Sequence, residues 1–311
     1  MNILTLTLNP AIDKSVTAKM VMPDKKIRCH TPVFQPGGGG INVSRAIKKL
    51  GAESVAMYLS GGESGWLISK LLKEENVTQQ PISSSIDVRQ NLLVYDETTE
   101  QQYRFGMPGS LVPEEEWNLV LEEIENLEVN PDYVVASGSL PRGVPNDFYA
   151  RLAKIAKRNN FRLILDTSGE PLKLGIEEGV YMIKPNLREL AYLAGKEFLS
   201  GLEQEKIANQ LLIEKKCEIV VLSQGVKGAM LSIDGYETEY IVPPTVRKVS
   251  TVGAGDSMLG GILTALSKDW ALKQAIRYGV AAGTAATITP DTELCRKEDV
   301  DKIYEWMNPV N

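Results

Sequence analysis

The chain has 311 residues, 43% of them apolar, with 34 Lys and Arg against 40 Asp and Glu and a net charge of −6. That length buries one large core, or one core with a small appendage, and the acidic balance argues against nucleic acid as a partner. A single histidine, His30, nearly excludes serine–histidine and histidine-based metal chemistry, and Cys29, Cys217 and Cys295 lack metal-ligand or redox spacing. No segment approaches the ~18 apolar residues of a membrane helix, and the chain runs directly into a strand without a leader, so a reducing, cytoplasmic setting without membrane contact is expected.

Short β-rich runs at residues 3–8, 54–59, 133–136, 163–165, 182–183 and 219–222 alternate with amphipathic stretches at 41–50, 65–75, 114–127, 147–159 and 204–215. Such alternation predicts an α/β fold, a mostly parallel sheet with helices on both faces. Two stretches break the pattern. Residues 14–34 and 89–105 are polar, β-leaning and without helical periodicity, and they carry Lys25, Lys26, Arg28, Arg89 and Arg104. They predict strands of a small accessory sheet over the open edge of the main unit, although ordinary exposed hairpins have the same look. Residues 256–266 and 272–287 read as small-residue-rich helices.

Two glycine-rich segments carry the chemistry. Thr251-Val252-Gly253-Ala254-Gly255-Asp256-Ser257 runs into an apolar helix. The glycines allow close approach of a ligand, and the unpaired amides of a helix start form an anion site. A carboxylate at its edge repels phosphate but is well placed to take a proton from a hydroxyl attacking a phosphoryl group. The same pattern also suits a plain helix cap. Gln35-Pro36-Gly37-Gly38-Gly39-Gly40-Ile41-Asn42 likewise opens a helix, stopped at Gly51, and is expected to press bare backbone against a ligand with Asn42 projecting from the first turn. No G-x-x-x-x-G-K-[ST] is present, and no G-x-G-x-x-G follows the first strand.

These segments resemble the PfkB/ribokinase-type carbohydrate kinases along nearly the whole chain. The family's Gly-Gly-x-x-x-N block corresponds to the stretch from Gly39, its S-T-V-G-A-G-D block to Ser250 through Asp256, and its K-P-N-x-x-E to Lys184-Pro185-Asn186-Leu187-Arg188-Glu189. Thr7-Leu8-Asn9-Pro10-Ala11-Ile12-Asp13 and Ser137-Gly138-Ser139-Leu140-Pro141 resemble the phosphosugar subgroup. Pro32 to Val43, Arg89-Gln90-Asn91-Leu92 and Gln102-Tyr103-Arg104-Phe105 resemble its 6-phosphofructokinase branch.

The resemblance implies one ribokinase-like kinase domain over 1–311, with a β-sheet lid that also forms a homodimer interface. It implies phosphoryl transfer from MgATP to the C1 hydroxyl of fructose 6-phosphate, with tagatose-6-phosphate kinase or 1-phosphofructokinase activity as alternatives and a non-catalytic sugar-phosphate sensor as the rival from another class. Asp256 is then the general base, with the amides of Gly253, Ala254 and Gly255 around the anion. Asp13, Gly38, Gly39 and Asn42 are candidates for the sugar hydroxyls, though Asp13 also suits a surface turn. Arg89 and Arg104 with Ser139 would clamp the sugar phosphate, and Lys26 and Arg28 would act across the subunit interface. On the nucleotide side the resemblance points to Lys184, Asn186, Ser223, Gly225, Gly228, Val280, Gly283 and Thr284, with Glu189 and Asn186 near Mg2+ through water. It also implies a K+ site on backbone oxygens of Ser250, Val252 and Ala286. Asp291 and Glu293 depart from the pattern there and put that site's geometry in doubt.

Overall fold

A computed structural model describes residues 1–289 and 293–308. In chain order the elements are β1 (Ile3–Thr7), β2 (Ala11–Ala18), β3 (Val33–Gly37), α1 (Gly39–Lys49), β4 (Val55–Ser60), α2 (Gly62–Glu74), β5 (Thr78–Ser83), β6 (Arg89–Asp96), β7 (Gln101–Phe105) and α3 (Glu114–Glu125). There follow β8 (Tyr133–Ser137), α4 (Phe148–Asn159), β9 (Arg162–Asp166), α5 (Gly169–Glu177), β10 (Val180–Ile183), α6 (Leu187–Leu193), α7 (Gly201–Ile213) and β11 (Cys217–Ser223). A 3-10 turn, β12 (Ala229–Ile233), β13 (Glu239–Ile241), α8 (Ala254–Leu266), α9 (Leu272–Ala286) and α10 (Lys297–Met307) complete the described chain.

Nine strands form the main sheet in the order β13-β12-β11-β10-β9-β8-β1-β4-β5. Pairing is parallel from β11 to β5, and β12 and β13 add antiparallel at one edge. The central strands are buried along their whole length, as in Ile3–Thr7 and Tyr133–Ser137, because both faces are covered. Leu4, Leu6, Val134, Ala136, Leu163 and Leu165 pack under α3, α4 and α5 on one face. Ile3, Tyr133, Val135 and Ile164 point the other way, into Val43, Ile47, Leu259, Ile262 and Val280 of α1, α8 and α9.

The order of connection reverses between β1 and β8. Chain segments leaving the C-terminal ends of those strands must diverge to opposite sides, which opens a crevice in a doubly wound sheet. Asp13 follows β1 in β2, Ser139 lies just past β8, Gly39 opens α1 against the end of β8, and Asp166 ends the neighbouring β9.

The second sheet has the order β3-β2-β6-β7, with β2 and β6 parallel and the outer pairs antiparallel. Both break-of-pattern segments thus contribute to one accessory sheet, but its extent differs from the sequence expectation. The strands begin at Ala11 and run on to Gly37, while residues 19–32 hold only the bridge Ala18↔Cys29. Pro23, the positive φ of Asp24 (55°) and Pro32 interrupt the pairing there.

Candidate active site

Asp256 stands in the first turn of α8, and the turn exists because Gly253 takes a left-handed conformation (φ 69°) at the N-cap. A Cβ on Gly253 would lie 2.4 Å from Leu294 Cδ2, so a side chain is refused on both conformational and steric grounds. The loop leaves the amides at the start of α8 facing outward, next to the carboxylate. Asp256 accepts a hydrogen bond from Asn42 Nδ2 at 2.9 Å. Burial, and then the neighbouring Asp166 carboxylate, push its pKa up to about 7, against the pull of the Asn42 bond and Lys184. Asp13 adds to the upward push. The carboxylate is therefore in the range in which a base works at neutral pH.

Beneath this turn Lys184 pairs with Asp166 at 2.9 Å, both side chains being largely buried. Burial opposes the lysine's charge, but Asp166, Asp256 and Glu189 outweigh it and its pKa is raised. A Cβ on Gly255 would come within 3.0 Å of Lys184 Nζ. The glycine thus lets a buried ammonium reach the anion-facing amides from below. Asp166 also accepts from Ser137 Oγ at 3.1 Å. Sequence reasoning missed Asp166. Its signal was available: a carboxylate that ends a buried strand at the C-terminal edge of a parallel sheet.

On the lid side Asp13, in β2, accepts from Asn91 Nδ2 of β6 at 2.8 Å, and the two residues are register partners. Burial raises the Asp13 pKa, opposed by the Asn91 bond and by Arg89, Arg45 and Arg104. It is not a surface turn residue. Arg89 donates to Asn9 O (3.2 Å), Asn91 Oδ1 (3.2 Å) and Met107 O (3.3 Å), while its Nε is buried without a partner. Ser139 Oγ accepts from Asn9 Nδ2 at 3.1 Å, so Asn9 joins it to Arg89. Arg104 bonds Gln102 on its own strand and reaches Asp13 only through its field. Lys26 and Arg28 are exposed in the 19–32 segment.

The glycine block is also pressed against the chain itself. A Cβ on Gly37 would meet Asp13 Oδ2 at 2.4 Å, one on Gly39 Ser137 Oγ at 2.2 Å, and one on Gly40 Leu6 O at 2.5 Å. Gly38 (φ 115°) turns the chain into α1, over Thr7. The glycines let the start of α1 sit directly on the ends of β1 and β8.

Asn186, Ser223, Gly225, Gly228, Val280, Gly283 and Thr284 line one cavity of about 630 Å³, together with Ala254 and Gly255. Its size suits a nucleotide. Lys248 and Arg188 also line it and were not foreseen; the only trace was the cationic pair Arg247-Lys248 ahead of the glycine loop. Asn186 and Glu189 have a local task. They form a capping box on α6: Asn186 Oδ1 accepts from the amides of Arg188 and Glu189, and Glu189 accepts from the Asn186 amide at 2.9 Å. Burial raises the Glu189 pKa. Among the described residues no cluster of three or more His, Cys, Asp or Glu is arranged to hold a metal.

At the cation site inferred from Ser250, Val252 and Ala286, Ser250 Oγ accepts from the Val252 amide at 3.2 Å and Ala286 O accepts from Thr289 Oγ1 at 2.8 Å. Glu293, one of the two departures from the pattern, pairs with Arg296 at 2.8 Å. Asp291 lies outside the described residues.

The profile of the pfkB family carbohydrate kinases matches residues 6–299. The chain is 39% identical over 307 residues to the ATP-dependent 6-phosphofructokinase isozyme 2 of Escherichia coli, covering 98% of this chain and 99% of that one. It is 40% identical over 303 residues to the isozyme 2 of Mycobacterium tuberculosis, covering 97% and 89%. Solved structures of the E. coli enzyme include a potassium complex that superposes with a TM-score of 0.94 over 98% of this chain and 99% of that one, a complex with substrates and products (0.93), and a tetrameric inhibited form (0.92). An Arabidopsis thaliana ribokinase, at 18% identity, shares the fold over 97% of this chain and 98% of its own, with a TM-score of 0.74. With a full-length family match and relatives this similar from end to end, the chain is a member of the pfkB family of carbohydrate kinases with a ribokinase-like fold.

Proposed function

We propose that this protein is an ATP-dependent 6-phosphofructokinase that phosphorylates the C1 hydroxyl of fructose 6-phosphate in the cytoplasm. The observation that carries the reading is the place of Asp256: a carboxylate with a pKa near 7 at the mouth of an amide-lined turn, between a nucleotide-sized cavity and an arginine-flanked lid.

Asp256 takes the proton of the attacking hydroxyl. The amides of Gly253, Ala254, Gly255 and Asp256, with Lys184 below them, face the charge that develops on the moving phosphoryl group, an arrangement typically worth roughly 3–4 kcal/mol per donor. Asp13, with the Gly38–Gly39 turn and Asn42, holds sugar hydroxyls. Arg89 binds the sugar phosphate, its buried and unpartnered Nε being the atom that fits an added anion; Arg104 and Ser139 flank it. When bound, MgATP supplies the phosphoryl group and the ion that neutralises it. The cavity lined by Ser223, Gly225, Gly228, Val280, Gly283 and Thr284 fits the nucleoside, and Lys248 and Arg188 suit its phosphates. Asn186 and Glu189 would meet Mg2+ through water, consistent with an ion held by few carboxylates. Backbone oxygens near Ser250, Val252 and Ala286 would hold K+.

A homodimer through the lid completes the proposal, with Lys26 and Arg28 reaching the neighbouring subunit's sugar phosphate. Turnover of MgATP with fructose 6-phosphate, tagatose 6-phosphate, fructose 1-phosphate and fructose, with products identified by 31P NMR, tests the reading. Turnover of fructose 6-phosphate to the 1,6-bisphosphate is expected. Preference for fructose 1-phosphate would move the chain to the 1-phosphofructokinases, and binding without turnover would make it a sensor.

A further inference from the structure

Among the described residues Arg45 is the largest fully enclosed side chain, 2% exposed, and the proposed chemistry leaves it unused. It projects from α1 one turn beyond Asn42. Its Nε and Nη2 donate to both oxygens of Glu75 at 2.8 and 2.7 Å, a bidentate pair just past the end of α2. That pair uses one edge of the guanidinium. The other edge is turned to the site: Nη1 donates to Pro36 O at 2.9 Å and to Asn42 Oδ1 at 3.4 Å. The last contact is at the long end of the hydrogen-bond range, where the charge on the donor sustains it. Asn42 then spends its other end, Nδ2, on Asp256.

The amide has one sensible orientation in this setting. Reversed, it would set its NH2 against a guanidinium and its oxygen against a carboxylate, two like-with-like contacts in a partly buried site. We propose that Arg45 is a positioning residue that locks the Asn42 side-chain amide with its oxygen toward the guanidinium and its NH2 toward Asp256. Glu75 holds the guanidinium from behind. The inference rests on the reading of Asp256 as the base.

The groups that face Asp256 are Asp166 at the end of β9, Lys184 after β10 and Asp13 of β2. Asp13 in turn faces Arg89 of β6, Arg104 of β7 and Arg45 itself. Losing Arg45 frees the Asn42 amide and removes a positive charge near Asp13. Both changes favour protonated carboxylates, so the acid limb of the rate profile moves up.

The experiment follows kcat against pH with MgATP and fructose 6-phosphate for the wild type, Arg45→Met, Arg45→Lys and Glu75→Gln, with melting temperatures alongside. Arg45→Met is expected to raise the acid limb by about one pH unit, which lowers kcat at pH 7 about fivefold by ionisation alone, with KM for MgATP within about twofold. Arg45→Lys keeps a charge but has no planar fork to bridge Glu75 and Asn42, and its limb is expected to move the same way. Glu75→Gln breaks the ion pair from the other side and is expected to lower the melting temperature with the limb in place. Folded Arg45 variants whose limb coincides with the wild type, or that behave like Glu75→Gln, overturn the inference. Should neither Arg45 variant fold, NMR on the wild type decides: the Arg45 guanidinium and Asn42 NH2 signals are expected to move together with a midpoint near pH 7, and an Arg45 signal unaffected across that range overturns the inference. A wild type that turns over nothing refutes the functional reading instead.

Discussion

A carboxylate whose pKa stands near 7 behaves differently from an ordinary aspartate in two measurable ways. Asp256 must be ionised to accept a proton, so activity rises with pH through about 7 and is lost below it. A kcat profile whose acid limb falls below pH 5 would contradict this. Asp256→Asn removes the base but keeps the shape and the bond to Asn42, and kcat is expected to fall by about 10²–10⁴ while fructose 6-phosphate still binds in calorimetry. Activity within tenfold of wild type would sink the assignment. The second effect is on stability. The folded pKa lies above the unfolded one, so the folded state binds the extra proton, and this contribution is lost as pH rises through about 7. Asp256→Asn is therefore expected to raise the melting temperature at pH 8 clearly more than at pH 5, where only part of the loss that begins above the unfolded pKa has accrued. Equal shifts at the two pH values would show that the carboxylate is not buried as an anion.

At the scale of elements, the glycine turn that starts α1 is a packing device, and its substitution should cost stability before it costs binding. Gly39→Ala forces a methyl to within 2.2 Å of Ser137 Oγ and 2.8 Å of the Gly138 amide, so the end of β8 must move. Overpacking of this kind costs about 1–3 kcal/mol, read as a lower urea midpoint; an unchanged midpoint would show that the turn has slack. The lid is expected to act on the sugar alone. Arg89→Ala and Arg104→Ala should raise KM for fructose 6-phosphate by tenfold or more, on the scale of about 1.4 kcal/mol per factor of ten. KM for MgATP should change less than about twofold, and the reverse pattern would place these arginines with the nucleotide. Elements with strong periodicity were legible: the stretches read as helices at 114–127, 147–159 and 272–287 match α3, α4 and α9 to within two residues. β5, Thr78–Ser83, was not read, because Thr-Gln-Gln-Pro-Ile-Ser is a polar edge strand with a proline, and only its neighbour β4 makes it a strand. The antiparallel β12 and β13 were not read either. Strand–helix alternation carries no information on how the sheet is finished at its edge.

For the whole molecule, the lid presents Val33 (54% exposed), Phe34 and Phe105 to solvent on a four-stranded sheet. An open sheet with exposed aromatic residues is a pairing surface, and two-fold pairing of identical edges or faces is the commonest way to cover it. A dimer at micromolar concentration is expected in light scattering, with activity falling as dilution yields monomer. Val33→Asp combined with Phe105→Asp should give a folded monomer with a raised KM for the sugar phosphate. A fully active monomer would return Lys26 and Arg28 to solvent.

Local rules decided much of this protein from the order of its residues: the strand–helix alternation, the two glycine turns opening α1 and α8, the candidacy of Asp256 and Asn42, and the cationic character of the lid. Periodicity and turn chemistry act over a few residues and are written in the chain. Tertiary structure decided what no short window holds. Asn42 meets Asp256 across 214 residues, Lys184 finds Asp166, and Asp13 bonds Asn91 within the field of three arginines. The pKa of Asp256 depends on burial and on a carboxylate from another strand, and the glycines of the first turn are required by Asp13, Leu6 and Ser137. Packing sets these juxtapositions, because the strength of a charge in a site depends on how much water and which neighbours the fold leaves beside it.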